Sequence, residues 1–391
     1  MLQHTKRIFM LSSYTWGQWV FSDCCDGKVI NNTESMISKK WSQTQKREYY
    51  LSSNLTELPL YIKLLNRIKK KNMEPSYSTY VNFNIISERD FLINNMPTCV
   101  QPIGGNIPKD RSQRKSIQVE YLVRISKLVV DKLLMTYSKN KILRIVEFAA
   151  GSGYVGLPLA WIYRDVPNIE VVLVDLKGPS LDIGARRIIE MQTESNVFLH
   201  NPNRVRLVQC NIQDYQEIFQ VGIALHACGT ATDLCIDQCI KHQASFVLCP
   251  CCIGKVCHNR SQPLSTQIQN ASYCSDTLQG LMFNACLKAG DFGHGREKAS
   301  TSIPSERRAR RKCKALVEYD RLLYAQENGI LEGALLQMPP EASSKCDVLL
   351  GLGVDVSSSK QEFKFDWSKD FEAISSDVIY SRAEQLEGIE D

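Results

Sequence analysis

From about residue 143 onward, apolar residues gather in short, β-branched runs that alternate with longer stretches carrying the spacing of amphipathic helices. Strand runs are read at 144–150, 170–176, 205–212, 221–227 and 244–249, and helices at 154–163, 180–194 and 231–242. Parallel strands need crossovers, so this alternation predicts a parallel sheet covered by helices on both faces. After a helical stretch near 277–288, residues 313–319 and 333–338 read as two further strands around a short helix at 320–327. The expected class is α/β, a Rossmann-like sheet of seven strands.

Upstream the pattern is irregular. Helical spacing is clear only at 58–68 (LPLYIKLLNRI), which ends in Lys69-Lys70-Lys71 as a helix terminus would. Pro97, Pro102, Gly104, Gly105 and Pro108 form a turn-rich connector, followed by a basic helix at 114–134. The expected organisation is an N-terminal extension over 1–110, a Rossmann-like domain over 111–356 and an acidic tail over 357–391.

Composition narrows the class. With 43% apolar and 23% charged residues, collagen-like, coiled-coil and wholly disordered chains are excluded. Fifteen cysteines in 391 residues are too few for a disulfide scaffold, so they read as reduced thiols in a cytoplasmic protein. Lys6 and Arg7, with no acid in the first 22 residues, leave a mitochondrial or nuclear address open. The most apolar window, 145–163, holds Glu147, Gly151, Ser152 and Gly153, which excludes a membrane span there. The net charge of +5 is uneven, because the tail carries nine acids against four bases. A basic body suggests an anionic partner such as RNA, or simply a solvated surface. Arg307, Arg308, Arg310, Arg311, Lys312 and Lys314 concentrate that charge, and a loop there could meet phosphates. Tyr154, Tyr273 and Phe292 are candidates to stack on bases.

The first strand runs into Glu147-Phe-Ala-Ala-Gly151-Ser-Gly153-Tyr-Val-Gly156, and the second ends at Asp175. Glycines at such a turn let backbone approach a ligand, and a carboxylate after the second strand can accept both hydroxyls of a ribose. The same spacing satisfies the dinucleotide fingerprint, so an NAD-dependent oxidoreductase is one reading. Two features favour S-adenosylmethionine. Glu147 stands four residues before Gly151, where a carboxylate suits a cationic amino-acid end and would repel a pyrophosphate. Asp214, in Asn211-Ile-Gln-Asp214 after the third strand, stands where an adenine would be contacted. Ala149 occupies a position that is commonly the first glycine of the motif. The expected cofactor residues are Glu147, Gly151, Gly153, Asp175 and Asp214.

The fourth strand ends in Leu225-His226-Ala227-Cys228-Gly229-Thr230-Ala231-Thr232-Asp233 and the fifth in Leu248-Cys249-Pro250-Cys251-Cys252. Ligands of open α/β sheets bind beyond the carboxyl ends of strands, so both segments should line the crevice of the glycine turn. His226 could accept a proton from a methyl acceptor or align its lone pair. Cys228, Cys251 or Cys252 could instead attack a pyrimidine ring. Asp233 could orient His226 or begin the following helix. No metal is expected, because C-x-C-C-x₄-C-H over Cys249, Cys251, Cys252, Cys257 and His258 is not a standard zinc spacing. Cys235, Cys239 and Cys249 also read as inert core thiols.

VEFAAGSGYVG, ALHACGTATD and SFVLCPCCIGK, within 146–254, resemble the methyltransferase-like domain of the glutathione S-transferase C-terminal domain-containing proteins. The resemblance continues through Arg307-Arg308, Lys312-Cys313 and Asp320-Arg321 to about Gly353, and back to Arg114-Lys115-x-x-Gln118-Val119-Glu120. More distantly, the architecture is similar to a group of tRNA methyltransferases that modify ribose 2′-hydroxyls. The resemblance implies a Rossmann-like fold that binds S-adenosylmethionine. It does not cover residues before about Arg111 and implies no glutathione chemistry. The leading expectation is a methyltransferase acting on RNA. A non-catalytic binding module and an NAD-dependent oxidoreductase are the alternatives.

Overall fold

The computed structural model describes residues 59–73, 79–80, 91–105, 107, 109–195, 198, 204–291, 304–338, 342 and 347–353. The five parallel runs pair as expected. β1 (Thr79–Tyr80) is a two-residue edge, and the sheet body comprises β2 (Leu143–Phe148), β3 (Ile169–Asp175), β4 (Val205–Gln209), β5 (Val221–Ala224) and β6 (Ser245–Leu248). β7 (Glu332–Gln337) and β8 (Asp347–Leu352) complete it, in the order β1-β7-β8-β6-β5-β2-β3-β4. β8 runs antiparallel to both its neighbours, and the other pairings are parallel. The chain steps from β2 outward to β4, then returns to β5 on the other side of β2. That reversal leaves a crevice beyond the carboxyl ends of β2 and β5.

Eight helices are described: α1 (Leu60–Lys70), α2 (Lys109–Thr136), α3 (Gly156–Ile162), α4 (Gly178–Glu194), α5 (Ala231–His242), α6 (Thr266–Ser272), α7 (Asp276–Gly290) and α8 (Pro304–Glu327). Successive strand residues enter opposite layers, as the pleat dictates. Ile145, Val171, Leu173 and Ile223 pack with Leu122, Ile125 and Leu157, whereas Val146, Phe148, Val172 and Val174 pack with Tyr215, Phe219 and Ile236.

One expected strand is helical. Residues 313–319 lie inside α8, and the seventh strand of the body is Asp347–Leu352, where the sequence pattern predicts none. The cause is burial on two sides. Ala315, Leu322 and Ala325 of α8 face the sheet, while Cys313, Leu316 and Val317 face a separate cluster with Phe283 and Leu287 of α7. A helix apolar on two sides loses its single stripe, and a short window of it reads as a strand.

The connector at 97–108 does not separate packing units. Leu64 and Ile68 of α1 are buried with α7 and α8, and the backbone N–H groups of Leu92 and Ile93 donate to the buried Glu120 carboxylate of α2 at 2.9 and 3.1 Å. The division between compact units falls between Pro59 and Leu60. Residues 1–58, Phe292 and the acidic tail at 357–391 lie outside the described residues. Among the described residues, no helix is long and apolar enough to cross a membrane.

Candidate active site at the carboxyl ends of the strands

The glycine turn is a small machine for aiming donors. Ala149, Gly151 and Gly153 all adopt left-handed backbone, with φ of 49°, 57° and 78°. Gly151 is the residue open to the crevice: a Cβ there would meet nothing within 4 Å. Its N–H donates to Asp175 Oδ2 at 2.7 Å, and Lys177 N–H donates to Oδ1 at 2.8 Å. Asp175 is half-buried, so its carboxylate is held in one orientation with lone pairs left over for hydroxyls. Asp214 is exposed after β4 and accepts from Asn211 Nδ2 at 2.7 Å.

Two expected cofactor residues are also engaged inside the protein. A Cβ on Gly153 would lie 2.6 Å from Leu173 Cδ1, and its N–H donates to Ala150 O within the turn. Gly153 therefore also serves close packing against β3. The Glu147 carboxylate is buried and accepts from Val155 N–H at 3.2 Å and Gly156 N–H at 2.7 Å, at the start of α3. It caps a helix whose first amides lack intrahelical partners, and so does not project freely toward a ligand. Burial pushes this carboxyl up to about 7, against the opposing pull of the two amides and of Lys115 and Arg187.

Arg187, in α4, carries no sequence signal of its role. Its buried guanidinium donates to the carbonyls of Cys99, Val100, Gln101 and Ser152 at 2.7–2.9 Å. It thereby clips the connector onto the glycine turn, and Tyr154 Oη adds a bond to Gly105 O at 3.1 Å. Burial lowers its pKa to about 10, which still leaves it charged.

Lys115, also absent from the expected site residues, stands beside Tyr154 of the glycine turn. Its ammonium lies 4.4 Å from the centroid of the Tyr154 ring and is an electrostatic neighbour of Glu147, Cys249, Cys251 and His226. Desolvation brings it down to about 8. The only sequence signal is that Lys115 lies on the basic helix named in the resemblance. His226 reaches solvent at the mouth, yet its crowded surroundings and then Lys115 hold its pKa well below the ordinary imidazole range. It is therefore a neutral hydrogen-bonding group at pH 7 and a weak base. Leu176, next to Asp175, is 60% exposed; an apolar residue just past the strand-end acid is the signal that could have found it.

The cysteines gather, though not as nucleophiles. Sγ atoms of Cys228, Cys251 and Cys252 lie within 4.8 Å of one another, all half-buried. Hydrogen bonding with Cys228, then burial, pushes the Cys251 thiol upward, the opposite of what a thiolate nucleophile needs. Cys257 donates to Gly254 O instead, and His258 is exposed. Cys235, Cys239 and Cys249 are buried, in keeping with inert core thiols.

Asp233 does not orient His226. Its carboxylate pairs with Arg321 at 2.6 Å and Arg260 at 3.3 Å, and Arg321 also donates to Gly229 O at 2.8 Å, beside Cys228. The chain of charges continues through Glu318 to Lys314, which bonds Asp347 at 2.6 Å. This corrects the basic run. Lys314 is buried in that network and Arg311 is buried, so neither is available to phosphates; Arg308 and Lys312 are exposed, Arg310 is half-buried, and the Arg307 side chain is outside the described residues. The run lies on α8 and not on a loop.

Residues 114–259 match the family described as a methyltransferase domain. That match takes in the glycine turn, Asp175, His226 and the cysteines after the fifth parallel strand. The chain is 31% identical over 266 residues to the human glutathione S-transferase C-terminal domain-containing protein, covering 67% of this chain and 36% of that protein. The Bos taurus protein is 29% identical over 262 residues, covering 67% and 37%. The domain is thus shared with the family named from the sequence motifs, and the chain spans little more than a third of the length of these relatives. An SAH-bound methyltransferase from Podospora anserina superposes on 66% of the chain and 89% of its own, at 11% identity and a TM-score of 0.34.

Proposed function

We propose that this methyltransferase domain uses S-adenosylmethionine to methylate RNA. The observation that carries the reading is the crevice at the strand reversal, where the open face of Gly151 meets an Asp175 carboxylate fixed by two backbone donors. These residues fit the cofactor. Asp175 can accept ribose hydroxyls, exposed Leu176 offers an apolar face to a base, and exposed Asp214 can accept from an exocyclic amine. When bound, the cofactor supplies an electrophilic methyl group on a sulfonium.

The chain's own contribution is alignment and proton removal. Neutral His226 donates its ring N–H to the acceptor atom and so orients a remaining lone pair toward the methyl group, a step worth several orders of magnitude in rate when well aligned. Lys115, with its pKa near 8, takes the acceptor's proton as the new bond forms and returns it to solvent. His226 is the poorer base for that step. A nucleophilic cysteine is not needed. Exposed Arg111 and Arg114 lie within a turn ahead of Lys115, exposed Lys177 follows Asp175, and exposed Lys255 packs against Gly229. Exposed cations of this kind would meet an RNA backbone, and Arg308 and Lys312 of α8 are exposed as well. We place the protein in the cytoplasm, where the twelve described cysteines, none in a disulfide, stay reduced.

The test has two stages. Calorimetric titration with S-adenosylmethionine should give heat with the wild type and greatly weakened binding with Asp175→Ala; no heat from the wild type overturns the cofactor reading, and tight NADH binding would favour the oxidoreductase. Transfer of labelled methyl to total cellular RNA should then occur, and be lost with Lys115→Arg. Cofactor binding without transfer would make the chain a binding module.

A further inference from the structure

We propose that Cys228, Cys251 and Cys252 form a site for one thiophilic d¹⁰ cation, zinc being the physiological candidate. Two segments converge to make it. Cys228 follows β5 and the other two follow β6, and the segments are joined where Gly229 N–H donates to Cys252 O at 2.7 Å. Gly229 is itself held by Arg321, whose guanidinium bonds Gly229 O at 2.8 Å from within the buried ion network. The loop that presents Cys228 is therefore fixed before any ion arrives.

The geometry fits an ion with little movement. A zinc–thiolate bond of about 2.3 Å in tetrahedral coordination separates sulfurs by about 3.8 Å. Here the three Sγ atoms all lie within 4.8 Å of one another, and Cys251 and Cys252 stand 3.4 Å apart. Shifts of less than about 1 Å in each sulfur would bring all three into bonding range. Neighbours in sequence rarely bind one ion, because extended backbone sends them to opposite sides. That objection fails here, since the two sulfurs already lie together. Three thiolates around a divalent zinc leave one net negative charge, less than three free thiolates would carry there. All three cysteines are half-buried, which gives an entry path from the crevice and leaves the fourth coordination position for water or a substrate atom.

The full chain, stripped of metal with chelator and reductant, is titrated with zinc and separately with cadmium, without S-adenosylmethionine. One equivalent of cadmium should produce a thiolate-to-metal charge-transfer band, and zinc binding at pH 7 should release two to three protons per ion, because thiols must ionise to bind. Cys228→Ser and Cys251→Ser should each weaken zinc binding by about 100-fold, while Cys257→Ser and Cys210→Ser should not. Circular dichroism checks that the variants fold. Should they not, the stoichiometry and proton release of the wild type still decide. The proposal is overturned by no charge-transfer band, by release of fewer than about two protons, or by equal uptake in Cys228→Ser and the wild type. It is also overturned if two of the three residues are found joined as a disulfide in protein that takes up no ion. None of these results depends on the methyltransferase reading.

Discussion

Replacing Arg187 with methionine removes a buried cation whose main partners are backbone carbonyls. Cys99, Val100, Gln101 and Ser152 each lose a bond of 2.7–2.9 Å. A buried acceptor left unpaired costs about 1–3 kcal/mol, so four give a gross loss of about 4–12 kcal/mol. Against that, the guanidinium no longer has to be desolvated, which returns several kcal/mol. The expected net destabilisation is about 3–4 kcal/mol, in the range for breaking a buried hydrogen-bond network. Arg187→Lys keeps the charge but offers three donors from one atom, so it should lose about half as much. Urea unfolding followed by tryptophan fluorescence measures the stability, read from midpoints at constant slope. Because Ser152 belongs to the glycine turn, Arg187→Lys should also weaken cofactor binding by about tenfold, or about 1.4 kcal/mol. A loss of less than about 1 kcal/mol in the methionine variant, with unchanged cofactor affinity, would refute the view that this clip holds the turn in shape.

Other outcomes follow from the same contacts. Ala149→Gly relieves a left-handed alanine at a cost in unfolded-state entropy, and should raise stability by about 0.5 kcal/mol in urea titration; a comparable decrease would contradict the φ of 49°. Asp175→Asn should weaken S-adenosylmethionine binding by about 10–100-fold by calorimetry, since one carboxylate oxygen becomes a donor. Lys115 must be neutral to accept a proton, so methyl transfer should rise with pH and level off above about 8; Lys115→Arg should leave only a low, flat profile. Lys314→Met removes the ammonium that links Glu318 to Asp347 in the core and should cost about 3–5 kcal/mol at pH 7. Asp347→Asn added to it should recover part of the loss in thermal melts, because it removes the charge that Lys314 balanced.

The alternation of strand and helix was legible because parallel strands buried on both faces are short and apolar, and their crossover helices keep one dominant stripe. α8 broke the pattern, being buried against both the sheet and α7, and a helix with two apolar sides imitates a strand over seven residues. The site was legible in its backbone and less so in its side chains. Gly151, Asp175 and Asp214 stand where the turn and strand ends put them, as local sequence implies. Glu147 stands beside the turn as its spacing implies, but whether its oxygens face a ligand or the amides of α3 depends on how the helix begins.

By itself, the sequence determined the order of elements, and with it the strand ends that meet at the crevice, because hydrophobic period and turn chemistry act over a few neighbouring residues. Tertiary structure alone decided which distant groups meet there. It set Lys115 of α2 among Glu147, His226 and Cys251, and carried Arg187 to carbonyls up to 88 positions away. It buried Lys314 out of a run that reads as uniformly exposed, and drew Cys228 to the pair after β6. The physical reason is that side-chain charge and reactivity are fixed by desolvation and by neighbours within a few ångströms, and those neighbours come from helix crossovers that no local pattern encodes.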